Sequence, residues 1–584
     1  MSRRLSGGAE ALIALLLAVL SAAWALRGAA GPGPLLVGDP DHPDTLANHW
    51  LLDWTAQRLR DGQQLWFNAD YYWPVGDQPV LAGNGADGLL AAPLLALWPW
   101  PAGALAYAAL QRIFDGLAGW ALGRALGLRG APALLLVPAL CLSPSALVEA
   151  SAGRWTQAGT WPLLLCFAAG LRLCRRPRAG GALGLGLALA LTGGLYWYYA
   201  WFALLGLLLI GALAAPGRRA WAAAGLGTGG GLLVLTPWLW AFLRSWAQIP
   251  GVDEAPDVGG QRLREALTAA GQLLVAAPGP ARAACLSAPL LLLGALGAAE
   301  GPRRQTRALI GVGVVFLALG TGDWGPASPF ALLYDQLPLL RRFWWPLRHF
   351  VVVHAMIAAL AALGLAALGR RAGASMGARA LIGAAALAAI PAGAALQGAP
   401  DRVALHPIPW PQAAWAELAG WGPGAVVQPP LSPEAAGSSW PLIAQRAHRH
   451  PTVAGHAPWV ARGRPAAWDA WATRQPAISA LQALERGAPI TLRGAELRAL
   501  AAAGAPHFAL DRAALPVELQ GVVRALNDGL RAVCGRPKWR DQGVALWDLH
   551  ACDPAAEVQL HSPWPEGLRP AGPELPLQGR WPAR

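Results

Sequence analysis

Long apolar blocks alternate with short polar segments along the first two thirds of the chain. A block of roughly 15 to 22 apolar residues is long enough to cross the hydrocarbon core of a bilayer as a helix. The first such block runs from about residue 11 to 28, and the others lie near 103–122, 131–148, 159–174, 181–199, 200–215, 220–241, 284–299, 306–321, 350–368 and 379–398. The pattern predicts a bundle of about eleven membrane-spanning helices.

The block 88–100, GLLAAPLLALWPW, is shorter and contains Pro93 and Pro99. Proline interrupts helical hydrogen bonding, and non-helical backbone is tolerated at membrane depth only where protein or a water-filled cavity covers it. Counting this block as a full span would also reverse the orientation of every later loop. We therefore predict a re-entrant or interfacial helix here.

Clusters of arginine indicate the orientation. Arg3 and Arg4 precede the first block, and later arginines fall in alternate loops, at 124 and 129, 172–178, 218 and 219, 303–307, and 370–379. Cytoplasmic loops carry such an excess of positive charge. The N-terminus is therefore predicted to be cytoplasmic, with a retained first helix; a cleaved signal peptide is the alternative. An odd number of spans places the segment after residue 398 outside.

Composition excludes two other classes of protein. Of the 584 residues, 55% are hydrophobic and only 14% are charged, which is not the composition of a soluble globule. The net charge of +13 comes from arginines beside apolar blocks, so it encodes topology and does not predict a nucleic-acid partner.

The composition changes after residue 399 to a mixture rich in Pro, Trp and His. We predict a mainly α fold, with a transmembrane domain over 1–399 and an exterior α/β domain over 400–584. In the second domain VALHPI, AVVQPP, HFALD and VALWDL indicate strands, and AELRALAAA and ELQGVVRALNDGL indicate helices.

The first exterior loop, 29–87, concentrates acidic residues: Asp39, Asp41 and Asp44 lie there beside His42. Such carboxylates serve as general bases or, with His42, as ligands of a divalent cation such as Mg²⁺ or Mn²⁺. The alternative is that they cap a helix, since Asp41 or Asp44 beside Pro43 is typical of a helix start.

Basic and aromatic residues mark the later exterior loops. Arg341, Arg342 and Arg348 break the charge rule by lying outside, close to Trp345, and this favours a site for an anionic headgroup; an interfacial anchor, with Arg341 paired to Asp335, is the alternative. Arg154 and Gln157 are candidates for substrate binding or ordinary loop polarity. Tyr198 and its neighbours Tyr196 and Tyr199 are typical of an interfacial aromatic belt.

Cysteine and histidine give two weaker signals. Cys534 and Cys552 flank a strand-like segment, and in an oxidising exterior they either form a disulfide or stay as two thiols. Gln445, His448, His450 and His456 lie close together in the chain, but no metal-ligand spacing accompanies them. We predict no metal there and expect a surface that faces solvent or an acceptor substrate.

Several motifs together resemble a known family. One basic N-terminal span, an acidic Gly-Asp loop, the element WPVGD, many Leu/Ala-rich spans, the block LPLLRRFWWPLRHF and the tail elements VVQPPL and LAAAGAPHFALDR are similar to those of GT-C class membrane glycosyltransferases. The chain departs from their pattern at Gln428, where a Glu is usual, and at Pro506-His507-Phe508, where Arg-Tyr-Val is usual.

The resemblance implies sugar transfer from a polyprenyl-phosphate donor to an exterior acceptor, in the bacterial cytoplasmic membrane. Asp39 would be the general base, with Asp41 and Asp44 as alternatives, and Arg342, Arg348 and Arg341 would hold the departing phosphate. His42, Arg154, Gln157, Tyr198 and Trp345 would contact substrate. A non-catalytic scaffold of the same fold and a transporter of lipid or polysaccharide are the alternative functions.

Overall fold

The structure is a computed structural model. It describes residues 7–29, 34–40, 43–65, 67–76, 78–79, 85–214, 217–240, 287–322, 327–337, 346–371, 381–390, 402–407, 412–431, 440–455, 465–512, 520–541 and 543–561.

The apolar part of the chain is helical. Its first helices are α1 (Gly7–Ala25), α2 (Pro43–Arg60), α3 (Gly85–Leu97), α4 (Ala102–Ala125), α5 (Ala131–Leu134), α6 (Leu136–Cys141), α7 (Pro144–Ser151), α8 (Trp155–Ala158), α9 (Trp161–Arg175), α10 (Ala179–Leu195), α11 (Trp197–Ala214) and α12 (Arg218–Val234). Then follow α13 (Ala288–Glu300), α14 (Arg303–Gly320), α15 (Pro329–Gln336), the 3₁₀ turn Pro346–His349, α16 (Phe350–Arg371) and α17 (Leu381–Ile390).

Every apolar block of the sequence falls on one or more of these helices in its described part. The block 131–148 is divided into α5, α6 and α7, and a proline lies in each piece. Among the described residues, four helical segments are long and apolar enough to cross a membrane: Gly7–Ala25, Ala131–Ser151, Trp197–Ala214 and Pro346–Arg371. The count of eleven spans stays a prediction.

The block 88–100 forms a short helix. α3 has 13 residues, which at 1.5 Å per residue is about 20 Å and too short for a perpendicular crossing of the bilayer core. It packs against α2, α4 and α10. A partly inserted helix agrees with this length.

Glycines let several of the helices approach closely. A Cβ atom added to Gly297 of α13 would overlap the carbonyl oxygen of Leu360 in α16, and one added to Gly364 would overlap that of Leu293. Small residues at such contacts allow dense helix packing in lipid, where the hydrophobic effect between helices is weak. The largest apolar core lies in this bundle, among α4, α9, α10, α11, α14 and α16.

Residues after 402 form sheets and short helices. The larger sheet has the order β5 (Val426–Val427), β7 (His507–Asp511), β9 (Val544–Asp548) and β8 (Trp539–Arg540), with β5 parallel to β7 and the other pairs antiparallel. A second pair joins β6 (Ile490–Arg493) to β10 (Glu557–Leu560). The helices are α18 (Gln412–Ala419), α19 (Trp440–His448), α20 (Ala466–Thr473), α21 (Pro476–Glu485), α22 (Gly494–Ala502) and α23 (Gln520–Cys534). A disulfide joins Cys534 to Cys552.

The first loop and the tail are held together by backbone pairing. β1 (Leu35–Val37) pairs antiparallel with β4 (Leu405–Pro407). Within the loop itself, β2 (Phe67–Asn68) pairs antiparallel with β3 (Gln78–Pro79). Arg446 of α19 forms an ion pair with Asp53 of α2 at 3.1 Å. These contacts fix the start of the acidic loop against the rest of the molecule.

Candidate functional site

Asp39 is placed by its neighbours in the chain. It follows β1, and its backbone N–H donates to the carbonyl oxygen of Ser151 at the end of α7, at 2.9 Å. Gly38 makes this approach possible, because it has φ of +102° and a Cβ atom there would lie 2.6 Å from the nitrogen of Gly153. The Asp39 side chain is exposed. A carboxylate is therefore presented to solvent on a short, constrained turn.

Next to this turn lies a group of four charged residues, which we call the arginine–carboxylate cluster: Asp44, Glu149, Arg154 and Arg348. Arg154 Nε donates to a carboxylate oxygen of Glu149, and Arg154 Nη1 lies 3.7 Å from Asp44 Oδ2. The hydroxyl of Thr45, which follows Asp44, donates to the carbonyl oxygen of Ala152 at 3.0 Å. The start of α2 is thus bound to the loop that follows α7.

Arg348 completes the cluster from a later part of the chain. It lies in the 3₁₀ turn before α16, and its Nε is 3.9 Å from Glu149 Oε1. Its guanidinium carbon is 4.8 Å from the ring centroid of Tyr198 and 5.4 Å from that of Tyr196. These two rings are stacked on each other, with centroids 5.0 Å apart. Cation–π attraction and the carboxylate both stabilise the positive charge in this position.

Polar side chains of α4 hold the segment from Arg154 to Trp161 in place. Asp115 accepts hydrogen bonds from the backbone N–H and the hydroxyl of Thr160, at 2.8 and 2.9 Å. Arg112 forms an ion pair with Asp115 at 2.8 Å and donates to the carbonyl oxygen of Ala158. The two residues lie three apart on α4, a spacing that favours an ion pair, and the pairing both makes burial tolerable and anchors the loop.

Most of the predicted site residues that the structure describes come together here. They are Asp39, Asp44, Arg154, Gln157, Tyr198 and Arg348. The carbonyl oxygen of Gln157 accepts from the hydroxyl of Tyr199. Asp41, His42, Arg341, Arg342 and Trp345 lie outside the described residues, and so does the proposed partnership of Arg341 with the Asp335 side chain.

Some sequence expectations need correction. Tyr196, Tyr198 and Tyr199 are only 7%, 8% and 3% exposed, so they pack in the interior and are not an interfacial belt. His448 and His450 are also buried, at 2% and 9% exposed, against the expectation of a solvated surface. Both errors have the same cause: the sequence does not show which loops are covered by other segments of the chain.

Glu149 is the residue of the arginine–carboxylate cluster that sequence reasoning missed. It contacts both arginines of the cluster and is 6% exposed. A signal was present: it is the sole acidic residue between Asp115 and Asp253. An isolated carboxylate at the end of an apolar block is costly to bury without partners, so it indicates cations nearby.

The described residues contain no group of three or more His, Cys, Asp or Glu side chains able to hold a metal ion. Asp44 and Glu149 instead form ion pairs with Arg154.

Three histidines of the tail, His448, His450 and His507, pack on one another, with 5.0 Å between the ring centroids of His450 and His507. Burial lowers the pKa of His448 well below its usual value, helped by the neighbouring His450 and His507.

Comparison with known proteins gives structural matches. No protein family and no curated protein matches the sequence. The structure is similar to a cryo-EM structure of the arabinofuranosyltransferase AftD from Mycobacteria, with a TM-score of 0.58 and 17% identity over 94% of this chain and 42% of that one. It is also similar to the apo oligosaccharyltransferase of Archaeoglobus fulgidus, with a TM-score of 0.50 and 13% identity over 88% and 70%. The same enzyme tethered to an acceptor peptide gives 0.50 and 12%.

This chain has a GT-C-like fold. The fold that the resemblance of the short motifs implies is therefore confirmed. The match to AftD covers less than half of that protein's length.

Proposed function

We propose that this protein is a membrane glycosyltransferase that moves a sugar from a polyprenyl-phosphate donor to an acceptor outside the cytoplasmic membrane of a bacterium. The acceptor is a lipid, a polysaccharide or a protein. In this proposal residues 1–399 form the membrane domain, the N-terminus is cytoplasmic, and residues 400–584 form the exterior domain. The similarity to AftD and to the oligosaccharyltransferase supports the reaction class through the fold.

One observation carries the proposal: the exposed carboxylate of Asp39 is tied by its backbone to the end of α7, beside the arginine–carboxylate cluster. Glycosyl transfer needs a base for the acceptor hydroxyl and a cation for the departing phosphate in the same place. Asp39 fits the base better than Asp44, because the Asp39 side chain is exposed and that of Asp44 is half-buried. Asp41 stays an alternative.

The cations of the cluster supply the second requirement. The guanidinium group of Arg348 is oriented by its contacts with the rings of Tyr196 and Tyr198. Arg154 adds a second positive charge, and both arginines contact Glu149. Arg341 and Arg342 belong to the same loop as Arg348 in the sequence. In the proposed reaction Asp39 takes the proton of the acceptor hydroxyl, whose oxygen attacks the anomeric carbon. The carbon–oxygen bond to the lipid phosphate breaks, and the arginines hold the phosphate anion.

The experiment is a transfer assay in reconstituted vesicles. The protein is supplied with a panel of radiolabelled polyprenyl-phosphate sugars and a membrane extract that provides acceptors. Wild type is compared with Asp39→Asn and with Asp61→Asn, which removes an exposed acid of the same loop. We expect wild type and Asp61→Asn to transfer label, and Asp39→Asn to be slower by about 10²- to 10⁴-fold, the usual contribution of a general base. Transfer from no donor, or full activity of Asp39→Asn, contradicts the proposal.

A further inference from the structure

Glu149 contacts two arginines with one carboxylate. Its Oε2 accepts from Arg154 Nε, and its Oε1 lies 3.9 Å from Arg348 Nε. Glu149 is 6% exposed, and the side chains of the two arginines are 12% and 13% exposed. The three charges therefore interact with little screening by water.

A carboxylate in this position resembles the ligand that the two arginines would bind. Phosphate and carboxylate oxygens accept the same charge-assisted hydrogen bonds from guanidinium groups. A lipid phosphate that reaches Arg154 and Arg348 thus meets a site that already holds an anion of the protein itself.

We infer that Glu149 is the internal counter-ion of the phosphate site, and that the lipid phosphate competes with it for Arg154 and Arg348. This inference rests on the proposed function. Glu149 is then a positioning residue: it keeps the two guanidinium groups oriented while the site is empty, and it takes them back when the lipid phosphate leaves. The carboxylate weakens phosphate binding and so favours release of the lipid product.

Removing the charge of Glu149 should change the affinity for phosphate in opposite directions for a counter-ion and for a residue with a purely structural role. If Glu149 only maintained the shape of the site, its removal would weaken phosphate binding. If Glu149 competes with phosphate, removing its negative charge leaves the positive charges of the two arginines less compensated, and binding of an anion becomes tighter. Glu149→Gln keeps the size of the side chain and one acceptor oxygen but removes the charge.

The test is equilibrium binding of farnesyl phosphate to the purified protein in nanodiscs, which needs no turnover. We expect Glu149→Gln to bind it about tenfold tighter than wild type, the order of effect of one nearby charge in a poorly hydrated site. The matched control is Glu300→Gln, which removes the same charge from the more exposed pair with Arg371 and should leave binding unchanged. Arg348→Gln should weaken binding.

The outcomes separate the inference from the proposed function. Equal or weaker binding by folded Glu149→Gln, with weaker binding by Arg348→Gln, overturns the counter-ion role and leaves the phosphate site intact. Binding that does not respond to Arg348→Gln, or no binding by wild type, overturns the phosphate site and the inference with it. If Glu149→Gln does not fold, Glu149→Asp is used: the shorter side chain loses contact with one arginine, and modestly tighter binding is expected, whereas weaker binding overturns the inference.

Discussion

Arg348 Nε lies 3.9 Å from Glu149 Oε1, a contact between the turn before α16 and the end of α7. The same carboxylate accepts a hydrogen bond from Arg154. Two arginines from distant parts of the chain therefore share one buried anion, beside the turn that presents Asp39. Because of this contact, the first variants to test are those that remove the charge of Arg348 or change the geometry of its side chain.

Arg348→Gln is expected to raise the KM for the lipid-linked donor by about 10- to 100-fold, since a desolvated charge-assisted contact to phosphate is lost. Arg348→Lys should recover part of the loss, because it restores the charge without the planar fork that packs over Tyr196 and Tyr198. Donor KM in the vesicle transfer assay measures both. Arg371→Gln, at an exposed position, is the control; a KM for Arg348→Gln equal to that of the control would contradict the assigned role.

Gly38→Ala should disturb the turn that carries Asp39. The added Cβ would lie 2.6 Å from the nitrogen of Gly153, in addition to the strain of φ at +102°. Gly28→Ala is a matched control, because Gly28 has φ of +104° and no atom within 4 Å of an added Cβ. Strain of this kind costs about 1 to 3 kcal/mol, so both variants should have lower thermal unfolding midpoints, and Gly38→Ala should be lower and lose transfer. Equal midpoints and equal transfer would show that the close approach is unimportant.

Removal of the disulfide should destabilise the tail. Cys534 and Cys552 are 18 residues apart, and closing a loop of that size stabilises a protein by about 3 kcal/mol. The double variant Cys534→Ser/Cys552→Ser should unfold at a lower temperature than wild type, and a reducing agent should lower wild type towards the same value. Cys174→Ser, which changes a free cysteine, is the control. A wild type that reacts fully with a thiol reagent before reduction would contradict the pairing.

The stability of the protein should fall in mild acid. Burial lowers the pKa of His448 and of His507 in the folded chain, whereas an unfolded histidine titrates near 6.5. The neutral form is therefore favoured by folding: its stabilising contribution is complete above about pH 6.5 and is lost as the pH falls below that value. We expect a lower unfolding midpoint at pH 5.5 than at pH 7.5.

The variant His448→Asn tests the cause of this dependence. Its side-chain oxygen can replace Nδ1 of His448, which accepts the N–H of His450 at 3.1 Å. The drop between pH 7.5 and 5.5 should be smaller in this variant and unchanged in His550→Asn, at an exposed position. A drop of equal size in both variants would assign the pH dependence to other groups.

The sequence predicts the helices well because each apolar block is long, and its length carries the information whatever its partners are. HFALD and VALWDL also lie in strands, β7 and β9, since their β-branched and aromatic residues are bounded by turn residues. The pairing of Leu35–Val37 with Leu405–Pro407 is different. Neither segment contains a sequence signal that identifies the other as its partner. The contact that holds the start of the acidic loop is therefore visible only in the three-dimensional structure.

The candidate site shows the same division. Asp39, Arg154 and Arg348 are predicted from their loops, where charge stands out against an apolar background. Glu149 belongs to a helix, α7, and its importance follows from the two arginines around it. Sequence supplies the charged groups of the site, and the fold decides which of them share a partner.

The most direct measurement is to separate binding from chemistry in Asp39→Asn. Farnesyl phosphate binding and the kcat of sugar transfer are measured on one preparation of the reconstituted variant and of wild type. We expect the binding constant to stay within about twofold, because Arg348 and Arg154 are unchanged, while kcat falls by about 10²- to 10⁴-fold. A kcat like that of wild type, or a loss explained entirely by weaker lipid phosphate binding, would contradict the role of Asp39 as the base.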